Sequence, residues 1–379
     1  MRSTASSAGE GRAEAGLTLV TGAAGFIGGA CAGSLMEKGH RVAALVHRSP
    51  LHADPARESK LAAVLRASLT DEDALRREME KTCASADLPI DTVVHCAAFA
   101  SDVGPAALFR RVNFEGTQAL VRAARPLGLR RFVFLSTTDV YGLHDFENAG
   151  EDTPFDDGAR HPYPRFKIAA ERWLRETLPP DALAILRPAA VWGPGDTTLL
   201  PRFLGFLRNS PAVIHFGRWR GENRWPLAHI RNVCRAADLA ARVEGSVTWN
   251  VVDSEVTTVD GFHRMLLETF FPRRRGLRRV TVPVPLAAMV AGAGTLLARA
   301  LHRRAPLWDP TLYALRSVSR NLDFSNERLR KAFAEHGMEL VSRAEGLEEL
   351  RRWAEREGLI PASAEPLLPG SVREERRGP

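Results

Sequence analysis

The chain has 379 residues, of which 45% are hydrophobic and 26% are charged. This composition is typical of a soluble globular protein and excludes a collagen-like or generally disordered chain. The net charge is +7, but eight arginines and no acidic residue lie within residues 272–304, so the rest of the chain is nearly neutral. Because the excess charge is confined to one segment, nucleic acid is not an expected partner.

Both ends of the chain are expected to be disordered, as a leader over residues 1–16 and a tail over residues 361–379, because they are polar and lack periodicity. No segment has the apolar run of a signal peptide or a membrane span. The cysteines lack the spacing of a zinc site or a disulfide framework and stand at positions 31, 83, 96 and 234. These features predict a cytoplasmic protein without a metal site.

Short apolar runs alternate with helix-length stretches through the first half of the chain. The runs are residues 17–21, 41–46, 63–65, 92–95, 132–135 and 183–186. Such runs are typical of parallel strands covered by helices on both faces. Their repeated alternation with helices predicts a doubly wound parallel α/β sheet of the Rossmann type. The first helix is expected from Phe26 to Lys38, with Gly39 as its C-terminal cap.

After Pro188 this alternation weakens and Pro, Arg and Trp become common. We therefore predict an NAD(P)-binding Rossmann domain over residues 17–195 and a smaller substrate-binding region over residues 196–360. One strand-like run near residues 247–252 is expected to return to the sheet.

Three glycines follow the first predicted strand and open the first predicted helix. Gly22 permits a tight turn, Gly25 lets the backbone approach a pyrophosphate, and Gly28 allows close packing of helix on strand. The phosphates would then meet free N–H groups at the positive end of the helix dipole. The alternative, glycines that serve only a turn, does not explain their placement between strand and helix.

The residue that selects the cofactor is expected at the end of the second strand. An NAD-binding protein usually carries a carboxylate there, whereas this chain has His47 and Arg48. Arg48 could make charge-assisted hydrogen bonds to a ribose 2′-phosphate, so NADP is the predicted cofactor, with NAD as the alternative. Otherwise Arg48 is an ordinary surface arginine.

Tyr163 and Lys167 are four residues apart and therefore share one helix face. A free phenol has a pKa of about 10, too high for a base near neutral pH. A lysine charge about 4 Å away contributes roughly 4 kcal/mol at an effective dielectric of about 20, which would lower that pKa. By itself the pair is a weak signal, because such pairs are common on solvated helix faces.

Six segments, in this order, resemble the motifs of the extended short-chain dehydrogenase/reductase family. They are residues 21–28, 95–98, 113–117, 136–142, 163–167 and 186–195. The resemblance implies that Tyr163 is the general acid/base, Lys167 lowers its pKa, and Thr137 rather than Ser136 polarises the reacting carbonyl. It also implies that Asn113 braces the site. The structural alternatives are a helix cap for Thr137 and a loop hydrogen bond for Asn113.

The resemblance also implies which residues bind the cofactor. Ala97 and Ala98 would flank it, and Pro188 would lie beside the nicotinamide. Where the family usually has an Asp that reaches the adenine, this chain has Ser68 and Leu69. The full set of expected cofactor-binding residues is Gly22, Gly25, Phe26, Ile27, Gly28, Arg48, Ser68, Leu69, Ala97, Ala98, Tyr163, Lys167 and Pro188.

The substrate class is indicated by the segment around His229. Nucleotide-sugar enzymes of the family carry an Arg four residues before this His, where the chain has Trp225, and Arg224 should point elsewhere. An indole cannot neutralise a diphosphate. Asn223 and Asn232 instead resemble the 3β-hydroxysteroid dehydrogenase branch and its bacterial relatives that reduce long-chain 2-alkyl-3-ketoacids.

The arginine-rich segment 272–304 brackets an apolar stretch at residues 286–298 that is too short to cross a bilayer. One interpretation is an interfacial helix on anionic lipid, which would make the protein peripheral at a membrane surface. The other is a buried helix that lines an apolar substrate pocket. Family members often form homodimers, so the resemblance implies a homodimer here.

The predicted function is NAD(P)-dependent interconversion of a secondary alcohol and a ketone on a small hydrophobic substrate, sterol-like or a long-chain 3-keto/3-hydroxy acyl compound. One alternative is a nucleotide-sugar epimerase or dehydratase. An alternative of another class is a non-catalytic NADP-sensing or RNA-binding relative, although such a protein would not need Thr137, Tyr163 and Lys167 together.

Overall fold

The computed structural model describes residues 16–51, 58–300 and 310–360. Of the expected leader only Gly16 is described, and the expected tail lies outside the described residues. Residues 303 and 304 of the arginine-rich segment also lie outside them.

The centre of the molecule is a parallel sheet of seven strands. Its strands are β1 (Leu17–Thr21), β2 (Arg41–Val46), β3 (Ala63–Arg66), β4 (Ile90–His95), β5 (Arg131–Leu135), β6 (Leu183–Pro188) and β10 (Val247–Val251). The spatial order is β10-β6-β5-β4-β1-β2-β3, and all neighbours are parallel. The predicted Rossmann-type α/β class is therefore confirmed.

Four further strands form two small parallel pairs. These strands are β7 (Ala190–Trp192), β8 (Ala212–Phe216), β9 (Leu227–His229) and β11 (Arg278–Val282). β7 pairs with β9, and β8 pairs with β11. Both pairs belong to the part of the chain that covers the carboxyl edge of the main sheet.

The helices cover both faces of the main sheet and build the region beyond it. They are α1 (Phe26–Glu37), α2 (Glu72–Ala86), α3 (Ala106–Phe109), α4 (Gly116–Ala124), α5 (Pro162–Thr177), α6 (Leu199–Asn209), α7 (Ile230–Arg242), α8 (Val259–Phe270), α9 (Val284–Ala300), α10 (Leu312–Val318), α11 (Glu327–Glu335) and α12 (Arg343–Arg356). A π-helical turn, Arg110–Glu115, joins α3 to α4.

Local chemistry explains where the two helices at the site begin and end. α1 follows the glycine turn directly, and Gly39, two residues past its end, has a left-handed φ of 85°. α5 begins with Pro162 at its first position, and the His161 ring accepts a hydrogen bond from the Tyr163 N–H at 3.2 Å. This cap fixes the position of Tyr163 in the first turn of α5.

Apolar side chains pack on both faces of the sheet. One cluster lies under α1 and α7, and a second lies under α2, α4 and α5. A third cluster joins the end of β5 to the later part of the chain through Tyr141, Trp192 and Phe262. The later region is therefore packed directly against the carboxyl edge of the sheet, where ligands bind in folds of this kind.

Candidate active site

The turn between β1 and α1 leaves no room for side chains at two of its glycines. Gly22 has a φ of 69°, a conformation that favours glycine. A Cβ atom on Gly28 would lie 2.2 Å from the carbonyl oxygen of Gly22. This close packing brings the N-terminus of α1 against β1, so that its free N–H groups face the crevice between β1 and β4.

A cavity of about 1280 Å³ occupies this crevice. Most of the residues predicted to bind the cofactor line it, namely Gly22, Gly25, Phe26, Ile27, Gly28, Arg48, Ser68, Leu69, Ala97 and Ala98. The other three predicted residues lie elsewhere: Tyr163 lines the neighbouring cavity, and Lys167 and Pro188 are buried beside it. The cavity thus has the glycine turn, the volume and the basic side chain that a dinucleotide would need.

Arg48 and Ser68 line the cavity from the ends of two neighbouring strands, β2 and β3. Arg48 is exposed just beyond the end of β2. The Ser68 hydroxyl accepts a hydrogen bond from the Thr70 N–H at 3.2 Å and lies 2.9 Å from the Thr70 hydroxyl. Ser68 is therefore used by its own loop, whereas Arg48 is exposed at the cavity.

The floor of the crevice is a buried polar chain. The Thr21 hydroxyl accepts from the Ala97 N–H at 3.0 Å and lies 2.7 Å from His95, whose other ring nitrogen is 3.0 Å from Thr117. Burial lowers the pKa of His95 to about 3, so the ring is neutral. This chain fixes the ends of β1 and β4 relative to each other.

Asn113 braces the loop after β4 and does not line either cavity. Its side-chain oxygen accepts from the Phe99 N–H at 2.7 Å, and its amide donates to the Phe99 carbonyl at 3.1 Å. The residue lies in the π-helical turn Arg110–Glu115, an irregularity often found at functional sites. A bracing role agrees with these contacts, and a direct catalytic role for Asn113 remains a prediction.

A second cavity of about 760 Å³ adjoins the first. The two cavities share wall residues, namely Phe26, Ile27, Ala100 and Thr198. Thr137 and Tyr163 line the second cavity, together with apolar residues of the later region such as Leu199, Trp225 and Leu322. A substrate here would lie between the predicted catalytic side chains and the cofactor cavity.

Thr137 and Tyr163 lie together, as the sequence predicts. Burial and the nearby Asp139 carboxylate raise the pKa of Tyr163 above its usual range, and the Thr137 side chain offsets only part of this rise. Thr137 also caps the turn after β5, accepting from the Asp139 N–H at 3.2 Å. The catalytic and the capping interpretations of Thr137 are thus compatible.

Lys167 does not lower the pKa of Tyr163 in this arrangement, contrary to the sequence-based expectation. Its Nζ donates to the Leu135 carbonyl at 2.6 Å and lies 4.6 Å from the centre of the Phe134 ring. Burial lowers the pKa of Lys167 itself to about 8. The ammonium is directed at the end of β5, where it holds the strand that carries Thr137.

Ser136 points away from the cavity. Its hydroxyl donates to Glu171 at 2.5 Å, and Glu171 pairs with buried Arg187, whose Nη2 is 2.6 Å from the carboxylate. Arg187 also donates to the Tyr141 hydroxyl at 2.7 Å, which in turn donates to Asn250 at 2.6 Å. These bonds explain why Thr137, and not Ser136, faces the substrate cavity.

Two residues without an assigned role in the sequence analysis face Tyr163. Asp139 is partly buried in the turn after β5, and the Tyr313 hydroxyl of α10 donates to its carboxylate. The Tyr313 ring also stacks on His161, with 3.9 Å between the ring centres. Asp139 belongs to the motif 136–142 and could have been singled out, but no local pattern identifies Tyr313.

Trp225 fills the position where nucleotide-sugar enzymes are expected to have an arginine. It is buried in the wall of the second cavity, and its ring N–H donates to Ser317 at 3.0 Å. Arg224 points away and pairs with Asp323 at 2.5 Å, as expected. Arg202 does line the second cavity, and it is paired with Asp102 at 2.8 Å.

The other residues of this segment are structural. Asn223 donates to the carbonyls of Val318 and Arg320, and Asn232 donates to Asp253 at 2.8 Å. Burial lowers the pKa of His229 to about 4, so its ring is neutral. These contacts hold the later region together behind the cavity wall.

The glycine turn, the crevice and the paired hydroxyls define an NAD(P)-dependent enzyme with a Rossmann fold. The sequence model of the NAD dependent epimerase/dehydratase family matches residues 18–251, and the chain belongs to this family. The predicted membership of the extended short-chain dehydrogenase/reductases is thereby confirmed.

Two curated relatives illustrate the similarity. The chain is 30% identical over 240 residues to a 3 beta-hydroxysteroid dehydrogenase/Delta 5-->4-isomerase of Mycobacterium tuberculosis, a match that spans 60% of each chain. It is 28% identical over 344 residues to a 4-hydroxy-2-methyl-3-oxo-4-farnesyl-3,4-dihydroquinoline-1-oxide ketoreductase of Stigmatella aurantiaca, which covers 88% of this chain and 96% of the relative.

A solved structure with the same fold is MoeE5 in complex with UDP-glucose and NAD. It has a TM-score of 0.63 and 26% identity, and the match covers 90% of this chain and 99% of that chain. Among the described residues no helix combines the length and the apolar character needed to cross a membrane.

Proposed function

We propose that the protein is an NADP-preferring reductase that interconverts a ketone and a secondary alcohol on a hydrophobic substrate. The observation that carries the proposal is the cavity in which Thr137 and Tyr163 lie together, facing apolar and aromatic walls instead of an unpaired arginine. The similarity to a farnesyl-dihydroquinoline ketoreductase over nearly its whole length supports this substrate class.

In this proposal the glycine turn binds the pyrophosphate, Arg48 binds the ribose 2′-phosphate, and Ala97 and Ala98 flank the dinucleotide. When bound, NADPH would supply the hydride. Two further contacts are predicted: Lys167 would bind the nicotinamide ribose, and Pro188 would lie beside the nicotinamide. Bound NAD is the alternative, and the exposed position of Arg48 at the crevice favours NADP.

The protein's own groups supply the acid chemistry. Thr137 donates a hydrogen bond to the substrate carbonyl oxygen, and Tyr163 donates its proton to that oxygen as negative charge develops there. Because burial and Asp139 keep the proton on Tyr163 near neutral pH, the residue is in the protonated form that ketone reduction requires. Lys167 holds the end of β5, so the hydroxyl of Thr137 is fixed in position.

The rival function is conversion of a nucleotide sugar. It is considered because MoeE5, which has this fold, was solved in complex with UDP-glucose and NAD. A diphosphate needs cations, and the arginines nearest the cavity are already paired with Asp102 and Asp323. Trp225 offers only one N–H, and Ser317 accepts it. These pairings favour a substrate without phosphate.

The test is cofactor oxidation by the full chain, with NADPH or NADH, against a 3-ketosteroid, a long-chain 2-alkyl-3-oxoacid and UDP-glucose. We expect NADPH-dependent turnover of at least one ketone and none with UDP-glucose. Turnover of UDP-glucose alone would overturn the proposed substrate class. NADPH binding without turnover of any of the three compounds would instead favour a cofactor-sensing relative.

The domain division is part of the same proposal, with residues 17–195 as the cofactor-binding unit and residues 196–360 as the substrate-binding region. We also propose a cytoplasmic homodimer, by analogy with the family, which sedimentation velocity would test. A peripheral membrane contact through residues 272–304 completes the proposal.

A further inference from the structure

Helix α9 presents an apolar stripe to solvent. Leu286, Met289 and Val290 are 49%, 67% and 50% exposed, and Ala293 is also exposed. Their spacing of i, i+3, i+4 and i+7 places all four on one face of the helix. Ala291 is buried on the other side. A surface helix normally has polar residues on its outer face, so this stripe needs a partner.

The apolar segment 286–298 allows two interpretations, an interfacial helix or a buried pocket wall, and the exposed side chains of α9 favour the interfacial helix. A pocket wall would be buried, whereas these side chains face outward. α9 spans Val284–Ala300, 17 residues or about 25 Å, which is less than the roughly 30 Å of a bilayer core. Such a helix would lie along a surface rather than cross it.

Exposed arginines lie just before the stripe. Arg273, Arg275 and Arg278 are exposed and make no ion pair within the described part of the chain. Their neighbours are occupied, since Arg274 donates to the Ser210 carbonyl and Arg279 donates to Asp260. Three exposed cations therefore lie at the amino end of β11, the strand that leads into α9.

A basic cavity of about 860 Å³ lies at the first turn of α9. It is at the carboxyl ends of β8 and β11, and Arg218, Arg220 and Arg320 line one part while Val284 and Pro285 line another. Arg218 also pairs with Asp145 at 2.6 Å. Guanidinium groups next to an apolar helix end are suited to a phosphate headgroup whose acyl chains lie along the helix.

We propose that the exposed stripe of α9, the three exposed arginines and this cavity form a docking surface for an anionic phospholipid bilayer. The apolar stripe matches the acyl chains of such a bilayer, and the basic residues match its negatively charged headgroups. A second copy of this chain fits less well, because a two-fold interface on this face would bring the same arginines close together.

The docking surface is next to the proposed active site. α9 packs against α10, and α10 contributes Tyr313 to the wall of the substrate cavity. If the proposed function holds, a membrane-dissolved ketone would reach the cavity from this side. The docking itself does not depend on the reaction.

Flotation of the full chain with vesicles tests the surface. We compare phosphatidylcholine vesicles with vesicles that also contain phosphatidylglycerol. Wild type should float with the anionic vesicles and much less with the neutral ones. Replacing Arg273, Arg275 and Arg278 by Gln should weaken anionic binding by about fivefold per arginine. Leu286→Ser/Met289→Ser/Val290→Ser should weaken it at least tenfold.

The matched control is Arg41→Gln/Arg77→Gln/Arg125→Gln, which removes the same charge from exposed positions on other elements and should float like wild type. Circular dichroism and NADPH binding verify that each variant is folded. The proposal is overturned if wild type does not float, if the control loses as much binding as the arginine variant, or if the stripe variant only dissociates a dimer. Ketone reduction by a wild type that does not float would leave the proposed function intact.

Discussion

The two cavities of the site are assembled in different ways. Apart from Thr198, the cofactor cavity is lined by residues between Gly22 and Val112, and most of them lie in the segments that follow β1, β2, β3 and β4. The substrate cavity draws its walls from Phe26 to Leu322, including α6 and α10. The first cavity is encoded by local motifs, and the second depends on contacts between distant parts of the chain.

This difference separates the residues that are expected to carry out the reaction from those that are expected to select the substrate. Thr137 and Tyr163 belong to the sheet and its helix, so their positions follow from the fold. Trp225 and Tyr313 belong to the later region, which can vary without moving the sheet. The comparison therefore predicts large effects on turnover or stability from the first group and smaller, tuning effects from the second.

The largest effect is expected from removing the phenol of Tyr163. Tyr163→Phe should reduce kcat for ketone reduction by about 10²- to 10⁴-fold, because the proton donor is lost. The dissociation constant of NADPH, measured by fluorescence titration, should not change, since Tyr163 lines the substrate cavity. Tyr313→Phe serves as the control and should remain within about tenfold of wild type. Equal losses in the two variants would contradict the division of roles.

A large effect on stability is expected from the buried ion pair between Glu171 and Arg187. Glu171→Gln leaves Arg187 buried without its charge partner and should lower the free energy of unfolding by about 3 kcal/mol at pH 7. The exposed Glu176 on the same helix provides the control. Glu176→Gln should change the free energy of unfolding by less than about 0.5 kcal/mol. Urea unfolding measures both.

The same pair predicts how stability depends on pH. Bonds from Arg187 hold the pKa of Glu171 below its usual range despite burial. The stabilisation is therefore present above the ordinary glutamate pKa of about 4.3 and is lost as the pH falls through the lower folded-state value. The difference in stability between wild type and Glu171→Gln should shrink at acid pH. A difference that stays constant down to acid unfolding would contradict this assignment.

Much of the first cavity could be predicted from the sequence. Strands β1 and β2 have the bounds expected from their apolar runs, and α1 begins at the expected Phe26. Strand ends converge at one edge of a parallel sheet, so motifs that follow strands are brought together by the topology alone.

The rest could not be predicted, because it depends on contacts between distant parts of the chain. Nothing local indicates that Tyr313 hydrogen-bonds Asp139, 174 residues earlier. The pKa of Tyr163 was expected to be lowered by Lys167, but the Leu135 carbonyl binds the ammonium. The thiol of Cys31 likewise lies close to those of Cys96 and Cys234, although their spacing in the sequence gives no sign of it.

Cofactor choice is expected to depend on Arg48 alone among the residues at the outer end of the first cavity. Arg48→Ser removes the charge-assisted bonds to the 2′-phosphate and should weaken NADPH binding by about tenfold to a hundredfold. The dissociation constant of NADH should stay within about twofold of the wild-type value. Arg41→Gln, at the opposite end of β2, is the matched control. Equal weakening of NADPH and NADH binding would show that Arg48 does not select the cofactor.

The smallest effect, and the one that links the two regions, is expected at Asp139. Its carboxylate raises the pKa of Tyr163, so Asp139→Asn should lower that pKa and increase the fraction of phenolate at a given pH. Phenolate is the base for alcohol oxidation, and a neutral phenol of lower pKa is a stronger acid for ketone reduction. Because the equilibrium of the reaction is unchanged, kcat/KM should rise together in the two directions, by about threefold to tenfold.

The measurement is kcat/KM in both directions between pH 6 and about pH 8, since Lys167, with its pKa lowered to about 8, loses its charge above that range. Asp157→Asn, an exposed position, should leave both values unchanged. In Tyr313→Phe the Asp139 carboxylate loses its hydrogen-bond donor but keeps its charge, so the two values should not rise as in Asp139→Asn. A fall of both values in Asp139→Asn would mean that the carboxylate acts as a base itself, and the later region would then take part in the chemistry through Tyr313.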